Sequence, residues 1–337
     1  MAKVIVLSGA GISAESGIET FRDSNGLWEK HKIEEVCSSS SLIDNRDKTI
    51  DFYDTRRSEL KNKEPNRSHK ILANLKKEYK NNLAIITQNV DNLFEKAGLK
   101  SDEIVHLHGL LTDAQCEECN LIYDIGYSKL SDKFNGKCPN CKSLKLKPHV
   151  VMFGEKAPMY DKLYEEIKDC TLLVVIGTSG SVINVDSFTP YIKKSILNNL
   201  EPSKAIFDKL YTKVLYKKAT EAIDEIALDI EKELRDRVKS LTESLIEKTL
   251  NLQSDESAIL TFNQSVDRDR LYSHLSQIIK REENLTESEF NTIITNLIVE
   301  FKNRRDNKLK ITEKREHYNK LLCFFVNEFN FNSIYES

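Results

Sequence analysis

Four of the seven cysteines stand as two pairs, Cys116-x-x-Cys119 and Cys138-x-x-Cys141, with 18 residues between the pairs. Each Cys-x-x-Cys turn aims two sulfurs at one point. Two such turns at this spacing supply the four thiolates of tetrahedral zinc and leave no position for water. The pattern therefore predicts a small ribbon closed on a structural ion, with the chemistry elsewhere in the chain. Cys37, Cys170 and Cys323 stand singly, which suits a reducing compartment better than a disulfide framework.

The ribbon interrupts a second pattern. The apolar runs KVIVLS (3–8), NLAIITQN (82–89), TLLVVIGTS (171–179) and KKSILNNL (193–200) alternate with polar helical stretches. This is the signature of parallel strands joined by crossover helices. Ligands of open α/β sheets lie outside the carboxyl ends of the strands. Gly9-Ala10-Gly11, Thr87-Gln88-Asn89, Gly177-Thr178-Ser179 and Asn199 are therefore expected to meet at one crevice.

Composition divides the chain further along. All 11 glycines lie at or before Gly180, and no proline follows Pro202. From about Glu221 the pattern is helical, with Ile223, Ile226, Ile230, Leu234, Val238, Leu241 and Leu245 at three- and four-residue spacing. Residues 270–283 and 287–302 repeat the habit, and Thr286-Glu287-Ser288-Glu289 reads as a capping box with Leu285 and Phe290 as its hydrophobic staple. Such apolar faces make either a self-contained bundle or a subunit interface.

Charge excludes some partners. With 50 basic and 53 acidic side chains the net charge is −3, which gives no electrostatic case for nucleic acid or an anionic membrane. The strand pattern has begun by Val4 and no apolar run approaches membrane-spanning length, so the expected location is the cytoplasm.

Gly9-Ala10-Gly11 follows the first strand, where backbone N–H groups can approach a pyrophosphate. The turn departs from the fingerprint of hydride-transfer enzymes. Ala14 stands where the third glycine belongs, and Asp23 comes too early for a ribose-binding acid expected about 20 positions on.

Taken in order, GAGISAESGIETFRDSNGLW (9–28), TQNVDNLFEKAG (87–98), HLHG (106–109), the cysteine quartet, KPHVVMFGE (147–155), GTSGSV (177–182) and NLEPS (199–203) resemble the sirtuins, the NAD-dependent protein-lysine deacylases. The resemblance covers roughly residues 3–230. It implies a Rossmann-like parallel sheet with the zinc ribbon (about 110–150) inserted; beyond its reach, the helical periodicity predicts an all-α domain over 231–337 for accessory or oligomerisation roles. NAD is consumed, and acyl-lysine enters between the sheet and the zinc module, with the zinc away from the chemistry.

By the same resemblance Gly9, Ala10, Gly11, Ser13 and the residues through Trp28 form the NAD-binding turn and loop, with Phe21 over the reacting sugar and Arg22 near it. Gln88, Asn89 and Asp91 match the nicotinamide-ribose pocket. Gly177, Thr178 and Ser179 match the adenine side, Asn199, Leu200 and Glu201 the adenosine ribose, and Ala219 a late adenine contact.

Residue chemistry supports these roles. Once nicotinamide leaves, the weak acyl oxygen must be held against the electrophilic sugar carbon in a dry pocket, which Asn89 can do without adding charge. Asp91 can accept from the carboxamide. A base must then activate a ribose hydroxyl, and a histidine of near-neutral pKa suits the task. The motif gives that role to His108, immediately before Gly109; His106 is expected to be structural.

Tyr53-x-x-Arg56 occupies the place of the tyrosine–arginine pair kept by the desuccinylase and demalonylase subgroup. On a helix these two face the same way, and a phenol beside a guanidinium can grip a distal carboxylate. The competing expectation is a surface ion pair made by Arg56 or Arg57. The KPHVVMFGE run is expected to offer an edge strand to the substrate peptide, with His149 and Val151 flanking the acyl-lysine tunnel and Phe153 and Gly154 also binding substrate. Met152 replaces an aromatic residue usual in the family, VINVDSF lacks the usual proline, and Lys217 replaces a glycine before Ala219.

A different class also fits. Some bacterial defence proteins fuse a sirtuin-like NAD hydrolase to a sensor domain, and the C-terminal helices keep that alternative open. The zinc quartet, the Tyr53/Arg56 pair and the FGE strand favour a peptide substrate.

Overall fold

The computed structural model describes residues 4–20 and 33–251, together with Thr292 and Asn296. Phe21, Arg22 and Trp28, the helices expected at 270–302 and the Thr286 capping box lie outside the described residues. The chain divides into two units, Met1–Glu231 and Lys232–Ser337.

The first unit is built on a six-stranded sheet of β1 (Val4–Ser8), β2 (Leu83–Thr87), β3 (Ile104–His106), β7 (Leu172–Ile176), β8 (Lys194–Asn199) and β9 (Lys213–Tyr216). Every neighbouring pair is parallel, in the order β3-β2-β1-β7-β8-β9. Counting only these six strands, the order is 3-2-1-4-5-6, the doubly wound arrangement with its reversal between β1 and β7. Strands covered on both faces must be apolar along their whole length, and VIVLS, LAIIT and LLVVI are buried at every position. Ile5, Leu7, Ile86, Leu173 and Val175 form one core cluster with Leu163 and Ile167.

A second sheet, β5-β4-β6, is inserted after β3 and consists of β4 (Gly109–Cys116), β5 (Ile122–Asp124) and β6 (Leu146–Val150), all antiparallel. Its core holds Ala114, Cys116, Ile125, Leu130, Cys138 and Leu146.

In chain order the α-helices are α1 (Gly11–Ala14), α2 (Ile33–Val36), α3 (Ser41–Asp44), α4 (Arg46–Leu60), α5 (Arg67–Tyr79), α6 (Leu93–Lys96), α7 (Tyr160–Ile167) and α8 (Ala219–Asn251). Asn66 caps α5 by accepting from the Ser68 amide at 3.0 Å. The first turns of α8 bury Ala222, Ile223, Ile226 and Ile230, the spacing read from the sequence. Among the described residues no helix is long and apolar enough to cross a membrane.

Candidate active site

Strand register assembles the site. Ser8 lies opposite both Thr87 and Ile176, Thr87 opposite His106, and Ile176 opposite Asn198. The turns after these strands therefore leave the sheet side by side at its carboxyl edge. Gly9-Ala10-Gly11, Gln88-Asn89, His108, Gly177-Thr178 and Asn199 form this row.

The two glycine turns touch backbone to backbone. The Gly9 amide donates to the Ile176 carbonyl at 2.9 Å and the Gly11 amide to the Gly177 carbonyl at 2.8 Å. A Cβ on Gly11 would lie 2.6 Å from the Gly177 Cα, and Gly177 itself has φ +64. Small residues here serve the close approach of the turns as well as any ligand.

Behind the turn is a buried polar network. The Asn89 side-chain amide donates to the Gly9 carbonyl at 3.2 Å and to Ser13 Oγ at 3.1 Å, while Ser13 Oγ donates to Asp91 Oδ2 at 2.9 Å. Asp91 also accepts from the Leu93 amide at 3.1 Å. Burial raises its pKa, and the bonds from Leu93 and Ser13 oppose that rise.

His69 and Asn66 complete the network without having been singled out in the sequence. Asn66 Nδ2 donates to the Ile12 carbonyl at 2.7 Å, and its Oδ1 lies 3.1 Å from His69 Nδ1. Burial drives the His69 pKa down to about 3, so the ring is neutral. The sequence carries a trace of this pair: Asn66, just after Pro65, is a helix-capping residue three positions before His69.

The two histidines of HLHG differ in surroundings. His106 Nε2 meets Glu95 Oε1 at 2.8 Å and its Nδ1 lies 3.3 Å from the Asn89 carbonyl. Burial alone would lower its pKa, but the bond to Glu95 and that group's charge raise it. His106 is thus a tether between α6 and the Asn89 turn. His108 Nδ1 lies 2.8 Å from the Gln88 carbonyl, and its Nε2 lies 2.9 Å from the Tyr160 hydroxyl. Burial pulls the His108 pKa below the ordinary imidazole range, with the Gln88 carbonyl opposing. A neutral imidazole with Nε2 unprotonated is a ready proton acceptor.

At the ends of β7 and β8, Asn199 Nδ2 donates to the Thr178 carbonyl at 2.9 Å and Gln88 Nε2 to Thr178 Oγ1 at 3.1 Å. The Ser179 carbonyl accepts from Ser203 Oγ at 2.6 Å. Leu200 and Glu201 are exposed, and Ala219 is buried at the start of α8. Lys217 is paired with Glu225 at 2.9 Å.

Tyr53 and Arg56 share a face of α4 but not an environment. Tyr53 is buried with Val36, Cys37, Val150 and Met152, and its hydroxyl donates to the Cys37 thiol. Burial pushes that thiol up to about 11. Arg56 is 23% exposed, within 3.4 Å of Glu19 and 3.3 Å of Glu59, and lies over the Phe52 ring at 5.7 Å. Among the described residues its Nε is buried without a hydrogen-bond partner. Arg57, by contrast, is fully buried, pairs with Asp54 and donates to the Leu111 carbonyl at 2.7 Å.

The FGE run is partly occupied. The Phe153 amide donates to the Cys37 carbonyl and its carbonyl accepts from the Ser39 amide, both at 2.9 Å. Val151 donates its amide to the His108 carbonyl at 2.9 Å. His149 faces Asp113 at 4.0 Å, while its neighbour Val150 packs with Tyr53. Gly154 has φ +92 and sits against Ser39.

All four sulfurs of the quartet lie within 4.8 Å of one another. Cys116 and Cys141 are 3.5 Å apart, Cys119 and Cys138 3.6 Å. Tetrahedral zinc with bonds of about 2.3 Å spaces its sulfurs by roughly 3.8 Å, so the cluster fits that ion. The two turns match: Asn120 and Lys142 have φ +57 and +63, and their amides donate to the Cys116 and Cys138 carbonyls at 2.9 and 3.1 Å.

Comparison with known proteins settles the family. A model of the Sir2 family matches residues 9–184. An NAD-dependent protein deacylase of Campylobacter jejuni is 46% identical over 239 residues, 70% of this chain and 99% of its own length.

The chain belongs to the Sir2 family.

A second relative, from Helicobacter hepaticus, is also named an NAD-dependent protein deacylase and is 40% identical over 257 residues, covering 68% of this chain and 98% of its own. Among solved structures, a Sir2 homolog–NAD complex is 32% identical with a TM-score of 0.59, over 68% of this chain and 90% of that one. A Sir2 variant solved with deacetylated p53 peptide and 3′-O-acetyl ADP-ribose is 25% identical with a TM-score of 0.56, over 67% of this chain and 92% of that one. The Sir2 likeness thus spans the parallel sheet and the zinc module. No part of the acyl pair's environment is decided by it.

Proposed function

We propose that this Sir2 protein removes succinyl or malonyl groups from protein lysines, consuming NAD. Its class, NAD-dependent protein deacylase, follows from its family and from relatives at 40–46% identity over nearly their whole length. The acid-acyl preference rests on one observation: among the described residues, Arg56, one turn of α4 from the buried Tyr53, faces Glu19 and Glu59 through its Nη1 but keeps its Nε buried and unpartnered. A guanidinium N–H out of water and without an acceptor is costly, and a distal carboxylate would satisfy it in the bidentate geometry that suits arginine.

The substrate NAD supplies a sugar carbon that gives up nicotinamide and takes the acyl oxygen. Gln88, Asn89 and Asp91 would hold the nicotinamide-ribose end, and Gly9, Ala10, Gly11, Ser13, Thr178 and Asn199 the remainder. Asn89, fixed by Gly9 and Ser13, orients without charge. His108, unprotonated at Nε2, is the base for the ribose hydroxyl. Tyr53, Val150 and Met152 wall the lysine side chain off from water. Cys116, Cys119, Cys138 and Cys141 would hold zinc, which would serve the fold of the small sheet.

Arg56→Met tests the acyl assignment. Succinyl-peptide kcat/KM should fall by about 10- to 100-fold, the worth of a charge-assisted bond of roughly 1.5–3 kcal/mol, with acetyl-peptide turnover nearly unchanged. Equal losses on both peptides would remove the assignment.

A further inference from the structure

His108 is already occupied on both sides. The Gln88 carbonyl, 2.8 Å from Nδ1, can only accept, so Nδ1 carries the ring proton and Nε2 holds the lone pair. The Tyr160 hydroxyl, 2.9 Å from Nε2, is then the donor to that lone pair. A proton can reach the neutral ring only at Nε2, and the phenol stands there.

Tyr160 is held in place independently of this bond. It opens α7, its ring packs against the core cluster that includes Leu163 and Ile167, and its centroid lies 6.0 Å from that of His108. None of the sequence blocks that identify the family contains it.

We propose that Tyr160 is a proton relay that carries the ribose hydroxyl proton to Nε2 of His108. The ribose O–H proton passes to the phenol oxygen as the phenol's own proton passes to Nε2. The ribose O–H bond breaks and an N–H bond forms. Tyrosine ends as it began, His108 ends as imidazolium, and the electron pair left on the ribose oxygen attacks the acyl-derived carbon. Burial raises the Tyr160 pKa, which favours concerted transfer over passage through a phenolate. The proposal rests on the deacylase reading.

The Tyr160→Phe variant keeps the packed ring and removes the hydroxyl. Succinyl-peptide turnover should fall by about 10- to 100-fold, within the range that positioned acid–base groups contribute. Exchange of labelled nicotinamide into NAD in the presence of acyl-peptide should persist, because nicotinamide leaves before the base acts. Histidine NMR on the protein without NAD supplies a readout independent of turnover. The hydroxyl donates to the neutral ring at Nε2 and, turned about, accepts the Nε2–H of the imidazolium, the stronger bond because it is charge-assisted. Its loss should therefore lower the His108 pKa and move the acid limb of the pH–rate profile to lower pH. Around the ring the Gln88 carbonyl is neutral, and Tyr164, one turn along α7, is the titratable neighbour of Tyr160.

Unchanged or faster turnover would overturn the relay, because the phenol would then be blocking Nε2. Parallel loss of nicotinamide exchange would also overturn it, since Tyr160 would then serve earlier steps. NAD hydrolysis without peptide in the parent protein would sink the deacylase reading instead, and the His108 titration would still decide whether Tyr160 controls Nε2.

Discussion

At the scale of single residues, Arg56 and Arg57 illustrate how neighbouring arginines part company. Helical geometry turns adjacent side chains about 100° apart, so only one of the two can share the Tyr53 face. The other is driven inward, where it is fully buried with the Asp54 carboxylate, which also accepts from the Leu130 amide at 3.1 Å. Removing one member of a buried pair strands the other charge. Arg57→Leu should therefore destabilise the fold by about 3–5 kcal/mol in urea denaturation, and adding Asp54→Asn should restore part of the loss. Strict additivity of the two substitutions would contradict this view of the pair. The sequence left the choice between Arg56 and Arg57 open because both fit a helix surface; burial separates them. His69 and Tyr160 were hidden for a related reason. His69 meets Ser13 across 56 positions and Tyr160 meets His108 across 52, and no local spacing announces such contacts.

At the scale of elements, parallel strands were legible because burial on both faces demands unbroken apolar runs, as in VIVLS and LLVVI. Alignment of the turns followed, since each apolar run ends at the same edge. The short β3 and β9 were harder to read: IVH and KVLY are too brief to mark themselves. The zinc module was marked by its cysteines alone. Its strand β4 starts at Gly109, directly after His108, and a Cβ on Gly109 would lie 2.1 Å from the His149 carbonyl. Together with the Val151 bond to the His108 carbonyl, this makes the small sheet the mount of the histidine's backbone. Stripping zinc with a strong chelator should thus abolish turnover and expose all four thiols to alkylation, although no cysteine is placed at the reacting atoms. Full activity in protein shown to be zinc-free would refute that link.

At the scale of the whole molecule, residues Met1–Glu231 carry both the doubly wound sheet and the inserted ribbon, and the Sir2 match over 9–184 lies within them. The helical periodicity beyond Leu234 was read from sequence, and most of it falls outside the described residues. The glycine turns, Asn89 and His108 stand together at one edge of one sheet. The central claim is that this edge spends NAD on an acyl-lysine. The direct measurement is nicotinamide release by the full chain with and without a succinyl-lysine peptide, with free lysine quantified in the same reaction. Nicotinamide should appear only with peptide and match deacylated lysine one for one. Nicotinamide released equally fast without peptide would contradict it and mark the protein as an NAD hydrolase.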